Sequence, residues 1–224
     1  MAQINSYPLG TPKSIDLLIG TEMPNPEGPV MNPASKSYTV GSIVALANVA
    51  IPASNSYGLY AQTKLGNPIT FADGETSLIG VGVGTLTVPA NSFKVGDSFV
   101  VKMCGPVTCP NNMGLDIRVR SNGVIILETP IFELATCSDR TYDLILDFTI
   151  AATGGAGVAK LFANGSFTYN KNSSNAFEGV NFRQISETVF DTTVENELDI
   201  TAEWLEDSPT LQIASQNFTL TKVY

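Results

Sequence analysis

Carboxylates and cysteines are the residues of this sequence that could do chemistry, because histidine is absent from all 224 residues. Asp143 and Asp147 stand four apart, and a strand would carry both on one face. Glycoside hydrolysis needs two carboxyl groups about 5–9 Å apart across a cleft, one of them raised in pKa by burial. The spacing of Asp143 and Asp147 is read here as compatible with that distance. They also alternate with apolar neighbours, as solubilising charges do. Asp191, Glu195, Glu197 and Asp199 form a second group, but no Asp-x-Asp-x-Asp-Gly loop frames them for calcium. Without histidine, no Ser-His-Asp or Cys-His arrangement can be built, and the commonest metal ligand is missing.

Cys104, Cys109 and Cys137 are an odd set, which favours free, buried thiols in a chain kept in a reducing compartment. Cys104 and Cys109 flank Gly105-Pro106-Val107-Thr108. If that segment is a hairpin tip, a bridge between the two is sterically allowed. Zinc usually takes four ligands from Cys and His and is not suggested. Gly80-Val81-Gly82-Val83-Gly84 is glycine-rich, but no Gly-Lys-Ser/Thr follows it, so it is no phosphate loop. Glycine at every second place leaves a strand face bare for a close backbone or a neighbouring chain.

A binding surface is the other chemical option. Phe162, Phe167, Tyr169, Phe177, Phe182 and Trp204 could stack sugar rings, although inward strand positions favour core packing for most of them. The polar loop after Tyr169 offers Asn170, Lys171, Asn172 and Asn175 as hydrogen-bonding groups for a glycan. The alternative is an ordinary exposed loop.

The elements that must position these groups are strands. Leu115, Ile117 and Val119 alternate with Asp116, Arg118 and Arg120, and Ser121-Asn122-Gly123 is a hairpin signal into a strand over Val124–Glu128. Tyr142, Leu144, Leu146, Phe148 and Ile150 predict a long half-buried strand. Further strands are expected over Gly80–Val88, Ser98–Cys104, Val158–Ala163, Ser166–Tyr169, Leu198–Trp204, Leu211–Ala214 and Asn217–Tyr224. Residues 173–193 read as loop-rich. The expectation is an all-β chain with a jelly-roll or β-sandwich domain over 77–224. Residues 55–76 read as a connector with one possible strand at Tyr57–Thr63 and a turn at Asp73-Gly74. Residues 1–54 form a small proline-rich segment with short apolar runs at Asp16–Thr21 and Tyr38–Leu46. That segment is too small to bury a core alone.

Composition narrows the function classes. Hydrophobic content is 43% and charged content 15%, which fits a folded chain with some surface covered by another chain. A net charge of −9 argues against a nucleic-acid partner, which needs clustered Lys and Arg. Eight carboxylates and no Lys or Arg lie between Glu187 and Asp207, a solvated acidic face in this reading. No apolar run approaches the roughly 20 residues of a membrane span. Met1-Ala2-Gln3 leads straight into polar residues, which predicts synthesis in a cytosol.

Six stretches add a resemblance. Ile4–Pro12, Asp16–Thr21 and Tyr38–Ile43 are similar to a short attachment module at the start of tailed-phage fibre and virion proteins. Gly84–Phe99, Asn164–Asn170 and Phe218–Tyr224 resemble a domain common in environmental viral proteins. The resemblance implies a non-enzymatic virion structural protein of head-fibre, decoration or tail-associated type, made in the host cytoplasm and often a homotrimer. It implies a capsid or tail protein as partner for residues 1–54, and no cofactor. The alternative reading is a carbohydrate-binding host-receptor module, and a third is a glycan depolymerase using Asp143 and Asp147.

Overall fold

The structure is a computed structural model that describes residues 57–172 and 176–224, together with the backbone of 17–21 and 35–39. The chain divides into two units, Met1–Ser54 and Asn55–Tyr224. In the first, β1 (Leu17–Thr21) pairs antiparallel with β2 (Ser35–Thr39). The expected strand at Asp16–Thr21 is thus present. The run beyond Thr39 lies outside the described residues.

The second unit is a sandwich of two antiparallel sheets, as the alternation predicts, and among the described residues its helical content is one 3-10 turn at Phe71–Asp73. Its strands are β3 (Tyr57–Gln62), β4 (Thr76–Ser77), β5 (Gly82–Gly84), β6 (Thr87–Val88), β7 (Ser98–Cys109) and β8 (Met113–Ser121). They continue as β9 (Val124–Glu128), β10 (Phe132–Leu134), β11 (Cys137–Ala152), β12 (Lys160–Asn170) and β13 (Phe177–Ser186). β14 (Asn196–Trp204), β15 (Gln212–Ile213) and β16 (Asn217–Lys222) complete it. The large sheet runs β13-β12-β11-β7-β16-β3-β5, with β15 beside the far end of β7. The small sheet runs β10-β8-β14-β4, with β9 also on β8 and β6 also on β14. Residues 57–62, read as part of a connector, pair with β16 inside the large sheet.

Turn chemistry sets the registers. Asn122 and Gly123 have φ of 48° and 80°, the left-handed pair that a two-residue hairpin needs, and Ser121 lies opposite Val124. Gly82 has a different role. A Cβ there would sit 2.3 Å from the Ala61 carbonyl oxygen and 2.6 Å from the Tyr60 ring. The bare glycine face is therefore filled by β3 of the same chain. Val81 and Val83 point outward and are exposed.

The core lies between the sheets. Val101, Leu144, Leu146, Phe167 and Phe218 of the large sheet face Leu115, Ile117, Val119, Ile200 and Trp204 of the small one. The Trp204 indole is buried and donates to the Ile69 carbonyl at 3.1 Å. Phe132 of the small sheet meets Phe167 and Tyr169 edge-on at 5.7 and 6.2 Å. The arrangement joins the two layers by aromatic contacts at one end.

Two sequence expectations are corrected. Gly105–Thr108 is no hairpin tip, because β7 runs straight through Pro106. Pro106 lies opposite the gap between β15 and β16, where a strand can lack an N–H without losing a ladder bond. Cys104 and Cys109 are then on opposite faces of one strand, about 16 Å apart along it, too far to bridge. The second correction is β13, ten residues of strand within a region read as loop-rich.

Candidate functional site

The outer face of β11, β12 and β13 is an exposed surface of mixed chemistry. Alternation along each strand turns one set of side chains outward, and the registers arrange them in rows. Asp147, Asn164 and Arg183 lie opposite one another. On one side of that row stand Thr149, Phe162 and Ile185, and on the other Ile145, Ser166 and Asn181. The apolar members are well exposed, Ile145 by 44%, Phe162 by 43% and Ile185 by 58%. Two shallow depressions of about 520 and 580 Å³ overlie the rows and share Asn164 and Arg183. Arg183 and Asp147 have no ion-pair partner among the described residues, unlike the arginines of the other sheet. A face with a ring, two amides, a carboxylate and a guanidinium can bind by hydrogen bonding and apolar contact.

The residues singled out from sequence are dispersed. Tyr169 is 1% exposed. Its hydroxyl accepts from the Ala135 N–H and donates to Glu178, both at 2.7 Å. It is a core residue, and its ring is not presented to a ligand. Asn170 is half-buried, with its Oδ1 enclosed. The Lys171 ammonium lies 3.7 Å from Glu178. The Asn172 Oδ1 accepts from the Ser138 N–H at 3.2 Å and from Arg140 Nε at 2.7 Å, so it tethers the β12–β13 connection to the start of β11. Asn175 lies outside the described residues. Of the six aromatics considered for stacking, Phe167, Tyr169, Phe182 and Trp204 are buried, while Phe162 and Phe177 are exposed.

Asp143 and Asp147 do share the outer face of β11, and both are exposed. Four strand residues separate them by about 13 Å, beyond the roughly 5–9.5 Å that glycosidase carboxylates span. The spacing expected from sequence is corrected by strand rise.

The outer face of the small sheet carries a charge network that sequence reading missed. The Arg118 guanidinium donates to Glu75 at 2.9 Å, Glu203 at 2.7 Å and Glu128 at 2.8 Å, and also to Asp116. Arg120 grips both oxygens of Glu75 at 2.7 and 2.9 Å. That bidentate contact holds the Glu75 carboxyl at a pKa of about 2. Burial pushes the Asp116 carboxyl up instead. Asp116 is a neighbour on the same strand, but Glu75 and Glu203 are 43 and 85 residues from Arg118, so no local spacing signals the network. The acidic stretch is likewise engaged. Glu187 pairs with Lys160, Asp191 accepts from Thr193, Asp199 accepts from Ser77, and Glu206 accepts from the Gly114 N–H.

Two further features lie in the interior. An apolar cavity of about 80 Å³ lies between the sheets among Phe93, Phe99, Ile126, Phe148, Leu198 and Leu220. The polar pair at its wall is already satisfied, with Ser121 Oγ donating to Asn196 Oδ1 at 2.7 Å. Cys109 and Cys137 are opposite each other on β7 and β11, both buried, with sulfurs 3.4 Å apart. The neighbouring sulfur and burial push the Cys109 thiol up. Compared with known proteins, the chain matches no family model and no curated protein.

Proposed function

We propose that this chain is a non-enzymatic structural protein of a virus particle. Residues 1–54 attach it to a capsid or tail protein, and the sandwich projects as a contact module. The observation that carries the reading is the outer face of β11, β12 and β13. Its exposed chemistry is spread over an open sheet, with Phe162, Ile185 and Ile145 among polar side chains. A face of that form suits binding to another surface. The division at residues 54 and 55 supports a separate attachment segment. Self-association belongs to this reading. The test is incorporation. Full-length chain should co-purify with particles from its source, and a chain lacking residues 1–54 should stay in the free fraction. Equal incorporation of both would defeat the attachment role.

A second reading has its own observation. Phe162 lies one row from Asn164 and Arg183 on the open face, the pairing of an apolar ring with planar polar groups that sugar recognition uses. Saturable glycan binding that disappears in Phe162→Ala would favour a carbohydrate-binding receptor module.

A further inference from the structure

We infer that the outer face of β11, β12 and β13 is a two-fold interface with a second copy of this chain. The inference goes beyond the particle role, because two-fold pairing of the purified chain does not depend on a virion. It rests on the order of side chains across the three strands. Asp147 is on β11, Asn164 on the central β12 and Arg183 on β13, directly in line. A two-fold axis running along β12, between two copies stacked face to face, exchanges β11 with β13 and leaves β12 over itself. Asp147 then meets Arg183 of the second copy, and Arg183 meets Asp147, so two ion pairs form from the two unpartnered charges of each copy. Asn164 faces its own copy, and an amide can donate and accept at once.

The flanking rows follow the same operation. Phe162 meets Phe162, Ile185 meets Thr149, Ile145 meets Asn181, and Ser166 meets Ser166. Of the other charged groups on the three strands, Asp143 faces Gly179. Lys160 at the start of β12 lies over its own copy but is held by Glu187 of its own chain. Glu178 is turned inward to Tyr169, and Asp139 and Arg140 lie at the start of β11. Lys102, on the neighbouring β7 opposite Ile145, falls beyond the edge of the partner's β13 and stays in water. The other in-plane axis, across the strands, stacks Asp147 on Asp147 and Arg183 on Arg183. Like charges facing each other reject that arrangement. The charge order therefore selects one symmetry. Two sheets meeting in this way have the aligned geometry of a sandwich, about 10 Å apart.

The size is adequate for a weak dimer. Three strands about 4.8 Å apart and about 33 Å long give each copy roughly 500 Å² of face. The pair covers roughly 1,000 Å², the lower end for a specific interface. A three-fold assembly, the order the fibre resemblance implies, would bring this face against a different surface and leave the matching charges unused.

The test is sedimentation equilibrium of the full-length chain and three variants, with circular dichroism to check folding. Asp147 and Arg183 are exposed on the sheet, so the variants should fold. Wild type should sediment at twice the chain mass at high micromolar concentration. Arg183→Asp and Asp147→Arg should each weaken the dimer about tenfold or more, since like charges then oppose. The double variant Asp147→Arg/Arg183→Asp should restore it, because the swapped pairs match again. Four results would overturn the inference: a monomer at 100 µM or above (the monomer binding a glycan on this face included), a trimer mass, single variants without effect, or a swap that fails to restore pairing.

Discussion

Tyr142 and Tyr169 lie directly opposite each other on β11 and β12, and removing their hydroxyls should move stability in opposite directions. Both rings are buried, at 0% and 1% exposure. Both pack on Phe167, with centroids at 5.4 and 6.2 Å. A change to Phe keeps those ring contacts. The hydroxyls differ. That of Tyr142 is buried with no hydrogen-bond partner among the described residues, whereas that of Tyr169 has two. An unsatisfied buried hydroxyl costs about 1–3 kcal/mol, so Tyr142→Phe should stabilise the domain by about 1 kcal/mol. Tyr169→Phe strips the Ala135 N–H of its acceptor and should destabilise by about 1–2 kcal/mol. For a domain of this size each kcal/mol moves Tm by roughly 2–4 °C. Thermal melts of wild type and both variants should therefore give Tm values on either side of wild type. Equal losses in both variants would refute the reasoning, because they would mean that the hydroxyl partners do not decide the sign.

Further outcomes follow from the thiols and the charge network. A thiol oxidant such as diamide should link Cys109 to Cys137, whose sulfurs are 3.4 Å apart, and leave Cys104 open to alkylation. Peptide mapping that found Cys104 in an intramolecular bridge would contradict the strand assignment of β7. Glu75 has its folded pKa depressed to about 2 from 4.5, so its contribution to stability is present above pH 4.5 and is lost as pH falls toward 2. Glu75→Gln should lower stability at pH 7 and flatten its decline over that window, measured by urea unfolding at stepped pH. An unchanged acid limb would place the loss elsewhere.

How far the sequence revealed the fold depended on how evenly each strand is covered. β11 has one face on the core and one in water, and β8 alternates core residues with the charged Asp116, Arg118 and Arg120, so their alternation was plain, and the Asn122-Gly123 turn fixed their neighbour. β13 was missed for a physical reason. At the edge of the large sheet its inward positions are Glu178, Val180, Phe182, Gln184 and Ser186, and that mixture carries little periodicity. Pro106 hid the continuity of β7, because a proline is tolerated there only by virtue of a gap in a strand that lies more than a hundred residues away. The candidate face was less legible than the fold. Phe162 and Asn164 were visible as residues, but their alignment with Arg183 and Asp147 depends on the registers of three strands. The Arg118 network draws Glu75 and Glu203 from far along the chain, so the neighbouring Asp116 alone gave no sign of it. Tyr169 looked like the start of a loop because the residues after it are polar. Its ring belongs to the aromatic contacts that join the sheets.

The most direct test of the account is cryo-electron microscopy of purified particles from the source of this chain. The account predicts density for the two-sheet domain of residues 55–224 outside the particle shell, joined to a capsid or tail protein by residues 1–54. Particles with this chain absent from their density and from their peptide mass spectra would contradict it.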